Sequence, residues 1–141
     1  MENGDPAKGG QAYTIVNLWT WFYTDPATFV SMSKTVSLQG VSATVTATPR
    51  ALLFAPGDGH PAVSCTGPGR PWESADQFDA PDAGGCGYQY TEVQAKPITG
   101  TVSISWDVSW TGTGGAGGVF DDVATSSSSQ FIVQQIQTVV R

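Results

Sequence analysis

Few residues in this chain could perform acid–base or nucleophilic chemistry. The only histidine, His60, follows the tripeptide Gly-Asp-Gly at 57–59, and the only two cysteines are Cys65 and Cys86. Nucleophilic catalysis needs a base beside the nucleophile, and no serine lies in a Gly-x-Ser-x-Gly turn. We therefore expect His60 to be a surface turn residue, and we predict no catalytic centre and no cofactor.

The two cysteines bracket a stretch that is rich in proline, glycine and acidic residues. A zinc site would need further ligands of the Cys or His type, which this sequence does not supply. We predict a Cys65–Cys86 disulfide, which is typical of an oxidising compartment and would stabilise the fold by roughly 3 kcal/mol for a loop of this size. The expected location is extracellular or at the cell surface.

Aspartates are the candidates for calcium binding, because calcium prefers carboxylate and carbonyl oxygens. None of them falls in the Asp-x-Asp-x-Asp-Gly register of an EF-hand loop; they are Asp58, Asp76, Asp79, Asp82, Asp121 and Asp122. We expect Asp58 to cap its own turn between Gly57 and Gly59, and the acidic stretch to be a solvated loop. We predict no metal site, and calcium in the acidic loop stays an open alternative.

Four aromatic residues are candidates for ligand contact, because a flat ring can cover the apolar face of a sugar. They are Trp72, between the cysteines, and Trp19, Trp21 and Tyr23 near the N-terminus. The alternative is packing in the core or between domains, which we expect for Trp106 and Trp110. Trp72 lies in a polar stretch, so its exposure is expected.

The composition of the 141 residues indicates a single β-rich domain. Only 13% of the residues are charged, and glycine, serine, threonine and valine are abundant, which favours strands and turns over helices. The net charge of −6 makes nucleic-acid binding improbable, and no apolar run is long enough to span a bilayer. We expect a flexible leader or linker at 1–12 and one domain at 13–141, with the aromatic segment 13–30 packing on it.

The apolar periodicity predicts the strands of this domain. The clearest is 101–110, where Val102, Ile104 and Trp106 alternate with polar residues. Gln39-Gly40 predicts a hairpin between 32–38 and 41–48, which Pro49 is expected to end. Further strands are predicted at 13–23, 51–54 and 130–140. A helix remains an alternative for the first and last of these, and a bulge is expected at Gln134-Gln135.

The order of these features resembles the PKD-like domain, an immunoglobulin-type β-sandwich of extracellular proteins. Phe54 and the Gly-Asp-Gly at 57–59 match its aromatic and GDG signature, Tyr88 and Tyr90 match its His-x-Tyr, and 101–108 matches its terminal strand. The Cys-Thr-Gly-Pro-Gly and Cys-Gly-Tyr-x-Tyr runs are similar to PKD-like domains of exported actinobacterial proteins. The resemblance implies an all-β, two-sheet immunoglobulin-like sandwich of about seven to nine strands.

This fold and the missing catalytic set favour a non-catalytic extracellular adhesion, spacer or assembly module. Its expected partner is a protein or a neighbouring domain, bound through loops or through an edge strand that pairs with another chain. The alternative function is a carbohydrate-binding module that uses the exposed aromatics, for which a glycan is the partner.

Overall fold

The computed structural model describes residues 13–77 and 79–135, and nearly all of its regular structure is β. The predicted leader at 1–12 and the end of the predicted last strand lie outside these residues. Eight strands are present in the described part: β1 (Tyr13–Ile15), β2 (Trp19–Trp21), β3 (Met32–Leu38), β4 (Val41–Ala55), β5 (Val63–Cys65), β6 (Gly87–Gln89), β7 (Gln94–Gly112) and β8 (Gly117–Gln134).

The strands form one large sheet and one small sheet. The large sheet has the order β1-β8-β7-β4-β3, with β5 also pairing with β4, and the small sheet joins β2 to β6. Strand β1 runs parallel to β8, and the other pairs are antiparallel. The prediction of an all-β, two-sheet fold with one disulfide is confirmed.

The strand predicted at 101–110 is confirmed as the middle of β7, where the alternation of apolar and polar residues continues through the sheet. The Gln39-Gly40 hairpin is also confirmed. Both of its residues have positive φ, 53° and 80°, as a two-residue hairpin that follows the strand twist requires.

Two strand predictions were wrong in their boundaries. Pro49 does not end a strand, because β4 runs through it and absorbs Arg50 as an extra residue in a bulge against β7. The segment 13–23 forms two short strands rather than one, since a turn at Asn17, where φ is 66°, separates them. A short 3₁₀ helix (Pro26–Thr28) follows, and the Asp25 carboxylate accepts a hydrogen bond from the Ala27 amide.

The core lies between one face of the large sheet and a second layer that contains the small sheet. Phe22 stacks on Phe54 with ring centroids 5.0 Å apart, and Tyr90 packs edge-on against Phe131 at 5.7 Å. Trp106 is buried as predicted. Trp110, which was expected in the core, is only half-buried, because it lies beyond the second layer.

Candidate functional site

The large sheet has two ends, which we call the body and the arm. The arm comprises β3 together with residues 41–47 of β4, 108–112 of β7 and 117–120 of β8. The body is the rest of the described chain. A bulge marks the boundary between them in each of two strand pairs. In the β4–β7 pair Arg50 is the extra residue, and in the β7–β8 pair β8 carries additional residues opposite Asp107. Arg50 spans the boundary, donating from Nη2 to Ser105 Oγ at 2.6 Å.

The apolar face of the arm continues the core face of the body. Directly paired residues point to the same side of a sheet. The registers place Val45 beside Trp110 and Ala47 beside Val108, in line with Leu52 beside Ile104 in the body. Strands β3 and β8 add residues to the same side: Met32, Lys34, Val36, Leu38 and Phe120. We call this surface the arm face.

Val108, where the arm face meets the body, is buried in the core, but beyond it no second layer within the described residues covers the arm face. Every residue of β3 is exposed, and Leu38 has 74% of its surface accessible to solvent. Trp110 is half-buried, and the remaining large apolar residues of the open part of the face are widely accessible: Met32 54%, Val36 62%, Val41 63%, Val45 39% and Phe120 50%. A sheet normally buries such a face, so this patch is the strongest candidate for a functional surface in the described residues.

The reverse side of the arm is polar and lacks this character. Hydroxyl pairs cross from β3 to β4, with Ser33 Oγ 3.0 Å from Thr46 Oγ1 and Thr35 Oγ1 2.8 Å from Thr44 Oγ1. Val119, 72% exposed, is the one large apolar side chain that the described arm carries on this side. The two faces therefore differ in chemistry, although both belong to the same strands.

In the body, the disulfide-bracketed stretch forms part of the second layer. Cys65 is bonded to Cys86, and both are buried. The Arg70 guanidinium lies 4.7 Å from the ring centre of Trp21, whose Nε1 donates to Ala80 O at 2.8 Å. Arg70 also makes a bidentate bond to Asp76, which holds the pKa of that carboxyl below its usual range, with help from the Glu73 amide. The stretch is thus anchored to the small sheet.

The predicted turn at Gly57, Asp58 and Gly59 is present and connects to the tyrosines. A Cβ on Gly57 would collide with the Thr99 carbonyl oxygen, so this site requires glycine. Asp58 Oδ1 accepts from the His60 amide at 3.0 Å, and Oδ2 accepts from Tyr88 Oη at 2.6 Å. His60 is exposed in this turn.

The surroundings of Tyr88 and Tyr90 raise the pKa values of both hydroxyls. Burial raises the pKa of Tyr88 above its ordinary value, and its hydrogen bond to Asp58 raises it further. Burial also raises the pKa of Tyr90, with a smaller contribution from the charge of Asp58. Tyr90 Oη donates to Pro56 O at 2.7 Å, so both hydroxyls fasten the chain after Phe54 to the second layer.

The four predicted ligand-contact aromatics have different environments. Trp21 is 6% exposed, so its ring belongs to the interior, while Trp19 is half-buried in the small sheet. Trp72, expected to be exposed, is half-buried in the loop and donates from Nε1 to Gln77 O at 3.0 Å. Tyr23 is the member that lines a cleft.

This cleft, of about 550 Å³, lies between the segment 23–28 and the sheet. Val102 and Ile104 contribute apolar surface, and residues 125–129 contribute a row of hydroxyls. Ser129 Oγ, one of these, is buried and has no hydrogen-bond partner among the described residues. Tyr23 and Asp25 line the side of the cleft formed by the segment 23–28.

Within residues 13–77 and 79–135, no three acidic, histidine or cysteine side chains are grouped so that they could hold a metal ion. Asp76 and Asp82 instead bind their own loop, because Asp82 Oδ1 accepts from the amides of Gly84 and Cys86. Asp58 accepts hydrogen bonds from the His60 amide in its own turn and from the Tyr88 hydroxyl.

The arm face is the feature that the sequence analysis missed. In the second strand of the predicted hairpin every other residue is apolar (Val41, Ala43, Val45 and Ala47), and β3 alternates in the same way. Alternation identifies an apolar face but does not say what covers it, so the hairpin was predicted without any indication that this face is open. The length of the strands relative to the short second layer was the missing information.

Comparison with protein-family models, curated proteins and solved structures finds no match to this chain.

Proposed function

We propose that this chain is a non-catalytic assembly module of a secreted or surface-attached protein, and that the arm face is its protein-binding surface. The observation that carries the proposal is the continuous apolar face that extends from the core onto the uncovered arm. The disulfide supports an oxidising compartment. Among the described residues, no helix has the length and apolar character needed to span a bilayer.

The resemblance to PKD-like domains is part of this proposal. It is supported by the way the matched residues meet: Phe54 contacts Tyr88 at 5.9 Å between ring centroids, and Asp58 binds the Tyr88 hydroxyl. In a module of this type the body supplies a rigid frame and the arm presents the contact surface. This division of roles requires no catalytic group.

Site-specific photo-crosslinking in the producing cell tests the proposal. Photoreactive benzoylphenylalanine would replace Leu38 on the arm face or Ser37, its neighbour on the polar side. We expect a defined protein adduct, identified by mass spectrometry, from position 38 and a much weaker one from position 37. Equal adducts from both positions, or none from position 38, would contradict the proposal.

Carbohydrate binding is the second candidate, and the cleft beside Tyr23 is the observation that favours it. An aromatic ring, a carboxylate and several hydroxyls around one cleft suit a polyhydroxylated ligand. A polysaccharide pull-down with Tyr23→Ala tests this candidate, with Trp72→Ala as the matched control in the loop. We expect retention on the polysaccharide to be lost only with Tyr23→Ala. Loss only with Trp72→Ala would move the binding site to the loop. No retention of the unaltered chain would reject carbohydrate binding.

A further inference from the structure

We infer that the partner of the arm face is a second copy of this chain, packed face to face with the two arms antiparallel. This inference rests on the proposed function, because it names the occupant of the same surface. The pairing would be isologous, with each arm supplying the layer that the other lacks. The result would be a sandwich that is completed between chains rather than within one chain.

The size of the arm face fits such an interface. The six large apolar residues expose between 39% and 74% of their surfaces, which corresponds to on the order of 500 Å² per copy. Two copies would bury about 1,000 Å² from these residues alone, which is the lower limit for a specific association. Ala43, Ala47 and the half-buried Trp110 lie between them and add to the contact.

The direction of packing follows from the second layer of the body. Phe22 and Tyr88 cover the same side of the sheet that is open in the arm, since Phe22 stacks on Phe54 and Phe54 shares its face with Val102. Two arms packed in parallel would bring the two second layers into collision. Antiparallel arms place the bodies at opposite ends, and sheets packed in this way lie about 10 Å apart.

The arm face carries almost no charge, so two copies can pack on each other without burying ionised groups. Lys34 is its one charged residue, and it lies on β3, the edge strand of the large sheet. At an edge, a lysine stem can cover apolar surface while the ammonium group reaches water. The acidic pair Asp121 and Asp122 lies at the boundary bulge, outside the face.

Residues 1–12 and 136–141 are poor candidates to cover the arm face. Strand β8 rises by about 40 Å between Phe120 and Val133, and residues 136–141 can span only about 20 Å. Residues 1–12 precede β1, which pairs with β8 at the same remote end, and they include one large apolar residue, Met1. Neither of these two segments is therefore expected to supply the layer that the arm face lacks.

Sedimentation velocity on the purified chain tests the inference, from about 1 to 100 µM, because a modest interface dissociates in this range. Phe120→Asp removes an apolar contact on the arm face, and Val119→Asp makes the same kind of change at the next residue, on the polar side. Both residues are exposed, and circular dichroism would verify that each variant folds. We expect a dimer for the unaltered chain and for Val119→Asp, and a monomer for Phe120→Asp.

Three results would overturn the inference: a monomer at every concentration, a dimer that persists in Phe120→Asp, or a dimer that is lost equally in Val119→Asp. The second result would also indicate pairing through the β3 edge, since Phe120 lies on β8, which β7 and β4 separate from that edge. A monomeric chain whose position 38 crosslinks to a different protein would reject the second copy and leave the assembly function intact.

Discussion

The body and the arm are built from the same three long strands, yet their apolar faces have opposite environments. In β4, Phe54 is completely buried in the body, whereas Val41 is 63% exposed in the arm. The alternation of side chains is equally regular in both. The comparison shows that a strand pattern determines which side of a sheet is apolar, while a second layer determines whether that side is buried.

The second layer is built largely from irregular segments, and it covers the sheet only as far as those segments extend. The stretch between the cysteines and the segment 22–29 supply Phe22 and Phe29 to the core, together with the anchors around Trp21. In the part of the chain that the structure describes, the two turns of the arm, at 39–40 and in the 3₁₀ segment (Thr113–Gly115), are short and place no such loop over the sheet. The body is thus closed by its loops, and the arm consists of hairpins alone.

The largest expected difference between the two regions is the effect of removing one phenylalanine ring. Phe54→Ala should lower the free energy of unfolding by about 3–5 kcal/mol, because the ring is fully buried against Phe22. Phe120→Ala in the arm should change it by less than about 1 kcal/mol in dilute protein. Urea denaturation measures both, and similar losses for the two variants would remove the distinction between body and arm.

Loss of the disulfide should cause the second largest decrease in the stability of the body. The bond closes a loop with a sequence separation of 21, so Cys65→Ala/Cys86→Ala should lower the free energy of unfolding by about 3 kcal/mol. Reduction of the unaltered chain is the control, because it leaves the buried sulfur atoms in place. A stability unchanged by reduction would show that the second layer needs no covalent closure.

The sequence predicts the strands of the body well because their signals are local. Val102, Ile104 and Trp106 alternate without interruption, and Gln39-Gly40 has the residue types that a tight hairpin needs. The Gly-Asp-Gly turn and the disulfide also follow from residue types. These features depend on neighbouring residues rather than on the rest of the fold.

The features that the sequence does not predict depend on distant contacts. Pro49 was expected to end a strand, but a bulge at Arg50 carries β4 past it, since pairing with β7 continues on both sides. Trp106 and Trp110 lie on the same face of β7. Trp106 is in the core and Trp110 is half-buried because the second layer covers only the former. The cleft beside Tyr23 likewise depends on how the segment 23–28 lies over the sheet.

The tyrosine hydroxyls of the body should make its stability sensitive to high pH. The pKa values of Tyr88 and Tyr90 are raised above about 10, the value in an unfolded chain, so their contribution is fully present below pH 10 and is lost as the pH rises above it. Urea denaturation at a series of alkaline pH values measures this loss. Tyr88→Phe/Tyr90→Phe should be less stable by about 1–2 kcal/mol at neutral pH and show a weaker alkaline decline.

The smallest effect is expected for the exposed ion pair of the loop. The pKa of Asp76 is lowered by Arg70, so its contribution is present above about pH 4 and is lost as the pH falls further. Arg70→Gln should have the smallest effect on the free energy of unfolding, because exposed ion pairs are weak. Tryptophan fluorescence should nevertheless change, since Arg70 covers Trp21; an unchanged spectrum would contradict that contact.

Hydrogen–deuterium exchange as a function of protein concentration is the most direct test that the arm face is open in the monomer and covered in the dimer. We expect the amides of the body strands, such as 98–106, to be protected equally at all concentrations. Amides at 41–47 and 108–112 should exchange quickly in dilute protein and become protected as a second chain covers the arm face. Strong protection of the arm in dilute monomer, or protection that rises equally in the body, would contradict it.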